Sequence, residues 1–198
     1  MNDNISKLFD SHSKWLESEG ENGKQLILEN ISSEYLTNEQ IQYLTDSVLT
    51  DCLFSDTELN EIDLYHTEMY SCKFKNISFH KVQLIKSEVN DTEFTDSVFD
   101  SVNFSNAELF DCIFIKSTFD NSVFISTGIW NTIFDSCTFV NMDFENAYLE
   151  NIILCNSEFI NPINLDKATK IIVNIGTVDK PVLLTHDESV KWIKAHGT

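Results

Sequence analysis

The chain has 198 residues with 42% hydrophobic content, 32 acidic side chains against 13 basic ones, and a formal charge of −19. All 13 cations are lysine, so the Arg forks that grip phosphates are missing, and the acidity repels nucleic acid again; direct nucleic-acid binding is not expected. The hydrophobic content argues against generic disorder, and no apolar run approaches the ~20 residues of a membrane span.

Taken in chain order, Met1-Asn-Asp-Asn-Ile has no basic segment leading into an apolar one, so no export signal is expected. Ile5, Leu8, Phe9, His12, Trp15 and Leu16 stand at helical spacing. They predict a helix over 3–19, with Asp3 or Asn4 as its N-cap and Gly20 beyond its end. An extended segment over 25–31 follows, and residues 1–41 are expected to cap what comes next. Five cysteines (Cys52, Cys72, Cys112, Cys137 and Cys155) form no C-x-x-C pair, which predicts free thiols and a reducing, cytoplasmic location.

From Leu44 to Phe159 every fifth residue is a large apolar one, over 24 positions without a break. Two residues before each stands a mostly small side chain, as in Ser47, Cys52, Thr67, Ser97, Ala107 and Ser157. A period of five fits neither regular element. On a helix at ~100° per residue it scatters the apolar positions by ~140° steps. On a strand it alternates faces. A solenoid that turns a corner at every repeat satisfies it, and Asp, Asn, Ser and Thr in the remaining positions suit such a chain.

Sorting the central residues by every fourth one separates Phe-rich columns from a Phe-free one. Phe54, Phe74, Phe94, Phe114, Phe134 and Leu154 form one column; Leu59, Phe79, Phe99, Phe119, Phe139 and Phe159 form another. Leu49, Met69, Val89, Leu109, Ile129 and Leu149 contain no Phe at all. Residues 20 apart are therefore expected to stack, giving four repeats per coil and six coils over residues 42–163.

Units such as Ala107-Glu-Leu109-Phe-Asp111, Ser97-Val-Phe99-Asp-Ser101 and Ala147-Tyr-Leu149-Glu-Asn151 resemble those of the pentapeptide-repeat proteins. The resemblance implies an all-β solenoid, a right-handed quadrilateral β-helix of about six coils, with the central and small residues pointing inward. His12-x-x-Trp15-Leu16-Glu-Ser-x-Gly20 also looks like the lead segment of many such proteins. Heavy use of Phe and few Ala-Asp/Asn-Leu units depart from the commonest family pattern. Some members resemble duplex DNA in size, shape and charge and occupy the DNA-binding saddle of DNA gyrase, which underlies quinolone resistance. The quinolone-protecting subset commonly carries loop insertions in the coil, whereas here the frame is unbroken. Gyrase-targeting members dimerise through C-terminal elements, which implies a homodimer.

The repeat frame fails at Pro162. Residues 164–198 predict two short strands, 171–175 and 182–184, around a turn with Asp179 and Pro181. Thr185-x-x-Glu188 is a capping box opening a short helix with Val190, Trp192 and Ile193. This tail serves either as a cap or as a dimerisation element.

Nothing in the chain carries recognisable catalytic chemistry. The five His make no H-E-x-x-H and no metal-ligand spacing, and there is no Gly-rich phosphate loop and no G-x-S-x-G elbow. The expectation is a non-enzyme without cofactor or metal.

The surface is more informative. Residues 42–161 hold 20 acidic residues and five Lys, and the repeats centred on the Phe-free column alone sum to −7. That face carries Asp51, Glu68, Glu88, Asp91, Glu108, Asp111 and Glu150 without a lysine, and these are the expected partner-binding residues. Glu68, Glu88 and Glu108 should stack at ~4.8 Å, an arrangement that works against the fold. Six coils make a rod of ~29 Å, and B-DNA of that length carries ~17 phosphate charges. That charge suits a basic protein surface, and the resemblance to the pentapeptide-repeat proteins implies DNA gyrase as one such partner. Solubility alone, with no partner at all, is the simpler account of the acidity. A second feature, the outward ladder Ile113, Ile133 and Ile153 beside Trp130 and Tyr148, together with Trp192, is expected to seat the C-terminal strands or a dimer partner. It also leaves open an antitoxin- or immunity-type interaction module.

Overall fold

The computed structural model describes residues 2–196 and is a parallel β-solenoid of about seven coils, closed by a helix at each end. Four faces run along it. The first is centred on Leu44, Leu64, Leu84, Phe104, Phe124 and Phe144; the second, third and fourth start at Leu49, Phe54 and Leu59 and step by 20. Adjacent coils pair in parallel register, as Leu49 with Met69, Phe54 with Phe74 and Phe79 with Phe99. The first face is held by single bridges such as Asp63 with Gln83 and Gln83 with Asn103.

Stacking at a distance of 20 residues organises the core. Third-face rings lie parallel, Phe94 on Phe114 at 4.7 Å between centroids, and fourth-face rings likewise, Phe99 on Phe119 at 4.5 Å. The two columns meet edge to face, as Phe94 with Phe99 at 5.6 Å, an arrangement that suits the ring quadrupoles. Small residues fill the corners and satisfy the backbone: Ser87 Oγ donates to the Leu64 carbonyl and Thr127 Oγ1 to the Phe104 carbonyl, both at 2.7 Å. Cysteines at the same position act as small hydrophobes. Burial pushes the Cys112 thiol up to about 12 and that of Cys137 to about 11. All five cysteines are free, and Cys155 is exposed.

The corner itself has a backbone signature. The second residue after every central one, from Asp46 to Asn161, is left-handed, with φ between 49° and 58°. Fifteen of these 24 residues are Asp or Asn, the non-glycine types that best tolerate that region. This is how the chain turns 24 corners almost without glycine.

At the N-terminus α1 (Asn2–Glu17) begins before both expected caps, so Asp3 and Asn4 lie inside it. Its buried face is Ile5, Phe9 and His12. The following segment does more than lead in. Strand Ile27–Glu29 pairs with Val48–Thr50, and Ser32 bridges to Leu53, so a further coil precedes the predicted six. This coil is one residue longer than the others and keeps their rule at Leu28, in register with Leu49, but breaks it elsewhere. Bulky Leu26 and half-buried Ile31 take the corner positions, and buried Ser33 stands near the centre of the third face. A one-turn helix, α2 (Asn38–Ile41), opened by a Thr37–Gln40 capping box, completes it.

At the other end a single strand, Lys170–Asn174, lies on Tyr148–Cys155. The second predicted strand is only one antiparallel bridge, Asn174 with Leu183. The reason is local: Asn174 Oδ1 accepts from the N–H groups of both Gly176 and Val182, closing a tight loop in place of a ladder. The final helix, α3 (His186–Ala195), starts at the Thr185–Glu188 capping box and buries Ser189 and Ile193 against the last coil.

Candidate functional site

The second face is built from the strands Val48–Thr50, Glu68–Tyr70, Glu88–Asn90, Glu108–Phe110, Gly128–Trp130 and the start of Tyr148–Cys155. Strand alternation turns Leu49, Met69, Val89 and Leu109 inward, so the residues on either side of each point outward. The structure therefore aligns Glu68, Glu88 and Glu108 directly, in register, on three consecutive coils. Part of their repulsion is relieved locally. Tyr70 Oη donates to Glu68 at 2.8 Å and lies 3.4 Å from Glu88, while Asn90 Nδ2 donates to Glu88 at 2.8 Å. Partial burial and the neighbouring Glu68 and Glu88 carboxylates push the Tyr70 hydroxyl well above the ordinary tyrosine range. Glu108 is exposed and has no side-chain hydrogen bond among the described residues.

The remaining acids of the face divide into two kinds. Asp51, Asp91 and Asp111 occupy left-handed corner positions, with φ of 52°, 50° and 53°. Corner geometry alone accounts for an Asx residue there, and Asn131 and Asn151 continue the same column. These aspartates edge a shallow groove of about 320 Å³ that Lys73, Glu93 and Ile113 share. Glu150 is different again. It accepts from Tyr148 Oη at 2.7 Å and from Lys170 Nζ at 2.8 Å, and the lysine holds its carboxyl below the usual range. The face that carries no lysine of its own thus gains one from the C-terminal strand.

Toward the C-terminal end the same outward columns become aromatic. Phe110 stacks on Trp130 at 4.5 Å with 9° between planes, and Trp130 leans on Tyr148 at 5.6 Å. Lys170 Nζ lies 5.1 Å above the Tyr148 ring. Gly128, the one glycine inside the repeats, is explained here: any Cβ at that position would collide with the Trp130 ring. Ile113, Ile133 and Ile153 form a continuous ladder on the third face. Ile113 is 37% exposed, Ile133 half-buried and Ile153 buried, opposite Asn174 of the C-terminal strand. Trp192 packs on the core and stacks on His196 at 4.0 Å.

Among the described residues no three His, Cys, Asp or Glu side chains gather into a metal-binding group. A depression of about 410 Å³ lies between α1 and α2 and is open to solvent. No helix among the described residues is long and apolar enough to cross a membrane.

A sequence model described as "Pentapeptide repeats (8 copies)" matches residues 77–114. No curated protein matches the sequence. Solved structures with similarity include HetL, a pentapeptide repeat protein involved in heterocyst differentiation regulation from the cyanobacterium Nostoc sp. strain PCC 7120. It is 13% identical over 70% of this chain and 81% of that one, with a TM-score of 0.36. Full-length QnrB1, a plasmid-mediated fluoroquinolone resistance protein, is 11% identical over 77% of this chain and 92% of its own, also with a TM-score of 0.36. A pentapeptide repeat protein of the Arabidopsis thaliana thylakoid lumen is 13% identical over 54% and 67%, with a TM-score of 0.35. The matched residues 77–114 carry pentapeptide repeats and are the middle of an unbroken series of the same period that folds, repeat by repeat, into the four-faced β-solenoid.

Proposed function

We propose that this protein is a non-enzymatic, cytoplasmic interaction rod that presents the acidic half of its second face to a basic surface, with the DNA-binding saddle of a DNA gyrase-type topoisomerase as the partner. The observation that carries this reading is the in-register Glu68–Glu88–Glu108 ladder. Like charges directly opposite each other work against a sheet, so their placement calls for a use outside the fold. The corner aspartates add charge to the same face, and a rod of duplex-like length and charge meets the electrostatic needs of a DNA mimic. The experiment is a titration of the protein into a gyrase supercoiling assay, with and without a quinolone, at two salt concentrations. Inhibition that weakens as salt rises supports the reading. No effect at tens of micromolar removes topoisomerase from it.

A second reading, an antitoxin- or immunity-type module, is favoured by the aromatic stack Phe110–Trp130–Tyr148 beside exposed Ile113. Binding through that surface would depend on Trp130 and vary little with salt. A homodimer would use the C-terminal end, where Ile175, Val178, Val182 and Leu183 are all at least half exposed.

A further inference from the structure

The two ends of the solenoid are finished differently. At the C-terminal end the outer edge of strand Lys170–Asn174 is taken up by the segment that follows it. The Ile171 N–H donates to His186 Nδ1 at 3.0 Å, the Val173 N–H donates to Ser189 Oγ at 2.9 Å, and the Val173 carbonyl accepts from the Leu184 N–H at 2.9 Å. At the N-terminal end the strand Ile27–Glu29 is the last of its wall and pairs only with Val48–Thr50. The Leu26 carbonyl accepts from the Val48 N–H, and the Asn30 N–H donates to the Thr50 carbonyl. Residues 26, 28 and 30 therefore face the neighbouring strand, and the backbone groups of Ile27 and Glu29 point away from it. Among the described residues nothing pairs with that outer edge.

The side chains beside the edge are unfinished in the same way. Leu8 on α1 is 42% exposed and Ile27 is 51% exposed. Between helix and strand runs an open groove of about 250 Å³, lined by Ile5, Leu8, Leu28 and Ile31. A strand continuing this wall would turn its central side chain inward onto Leu8 and its two neighbours outward beside Ile27 and Glu29.

We propose that this edge docks an extended segment of a partner protein, added in parallel as one more strand, with the local pattern apolar, apolar, Lys or Arg. The first residue lies opposite Ile27, the second fills the groove over Leu28 and Leu8, and the cation pairs with exposed Glu29. Main-chain hydrogen bonds to Ile27 and Glu29 supply the attachment, and the alternating side chains supply the selectivity. The occupant is a cationic segment because a second copy would bring another charge of −19 to the same edge. The site is separate from the glutamate ladder, and its loss would leave that ladder untouched.

The test is NMR on the full chain titrated with a capped synthetic peptide containing Val-Leu-Lys. The expected result is saturable shifts centred on Ile27 and Glu29, with slowed exchange of those two amides. N-methylation of the peptide's Leu removes the central bond and should weaken binding about tenfold. Leu8→Lys, on an exposed helix position, should weaken it similarly with the rest of the spectrum unchanged. Glu29→Lys should reverse the preference toward Val-Leu-Glu. Absence of shifts at millimolar peptide overturns the proposal, as does binding indifferent to both N-methylation and Leu8→Lys. Concentration-dependent protection of Ile27 and Glu29 without peptide would give the edge to a second copy and also overturn it.

Discussion

The N-terminal and C-terminal halves of the second face share one backbone and one kind of core, yet their outward ladders follow opposite rules. In the first half the column before the central residue reads Glu68, Glu88, Glu108, like charge upon like charge. In the second half it reads Gly128, Tyr148, Lys170, and the neighbouring column reads Phe110, Trp130, Glu150. There every side chain meets a partner: ring on ring, ring on glycine, cation on ring and carboxylate. A solenoid whose inward residues already fix the register leaves its outward residues free to be chosen for something else. The aromatic half uses that freedom for cohesion with the C-terminal cap, whereas the acidic half does not.

The comparison assumes that both halves rest on one continuous core. Phe99 is fully buried between Phe79 and Phe119, at 4.6 and 4.5 Å. Phe99→Ala should cost about 3–5 kcal/mol. Tryptophan fluorescence and circular dichroism should still report a single unfolding transition. Two separated transitions would show that the halves are independent.

Gly128→Ala probes the cohesive half alone. The new methyl displaces the Trp130 ring and breaks its stack on Phe110. The expected loss is about 0.5–1.5 kcal/mol, the worth of an aromatic pair, with a shift in Trp130 emission. Unchanged emission would contradict the ring's placement.

The acidic half should respond in the opposite direction. Changing Glu68, Glu88 and Glu108 together to Gln removes two like-charge contacts, each worth about 0.2–1 kcal/mol, so the melting temperature should rise. Added salt should raise the wild-type melting temperature more than that of the triple variant. Equal salt responses would mean that the ladder is no burden.

The smallest expected effect concerns pH at the N-terminal cap. His12 is fully buried; its Nδ1 accepts from the Leu26 N–H at 3.0 Å, so Nε2–H donates to the Thr45 carbonyl at 2.9 Å. Burial lowers its pKa, against the pull of the Thr45 carbonyl and Asp46. A histidine held neutral by the fold contributes stability that is fully present above its unfolded value, near 6.5. That contribution is lost as pH falls through the lower folded value. His12→Gln should flatten the acid limb of the stability profile; an unaltered limb would contradict the assignment.

Much of this architecture was legible because one residue type repeats at one spacing. Leu44 to Phe159 and the segregation of Phe every 20 residues define the coil and its four faces from the sequence alone. The first coil escaped because its beat, Leu26, Ile31, Leu36, Ile41, is out of phase with the rest and its third-face centre is Ser33. Asp51, Asp91 and Asp111 looked like Glu68 and its neighbours when charge was the only criterion; the left-handed corner separates them. The Lys170–Glu150 pair was hidden because the repeat frame fails at Pro162: the backbone register there sets Lys170 opposite Tyr148, and nothing in the sequence shows that a strand resumes on that wall. Gly128 stood out as an exception, but only the Trp130 ring explains it.

The most direct measurement places the triple variant Glu68→Gln/Glu88→Gln/Glu108→Gln beside the wild type in the gyrase supercoiling titration. The account predicts that the variant melts at a higher temperature and no longer inhibits. Undiminished inhibition by a correctly folded variant would contradict it, and would remove the acidic ladder as the binding surface.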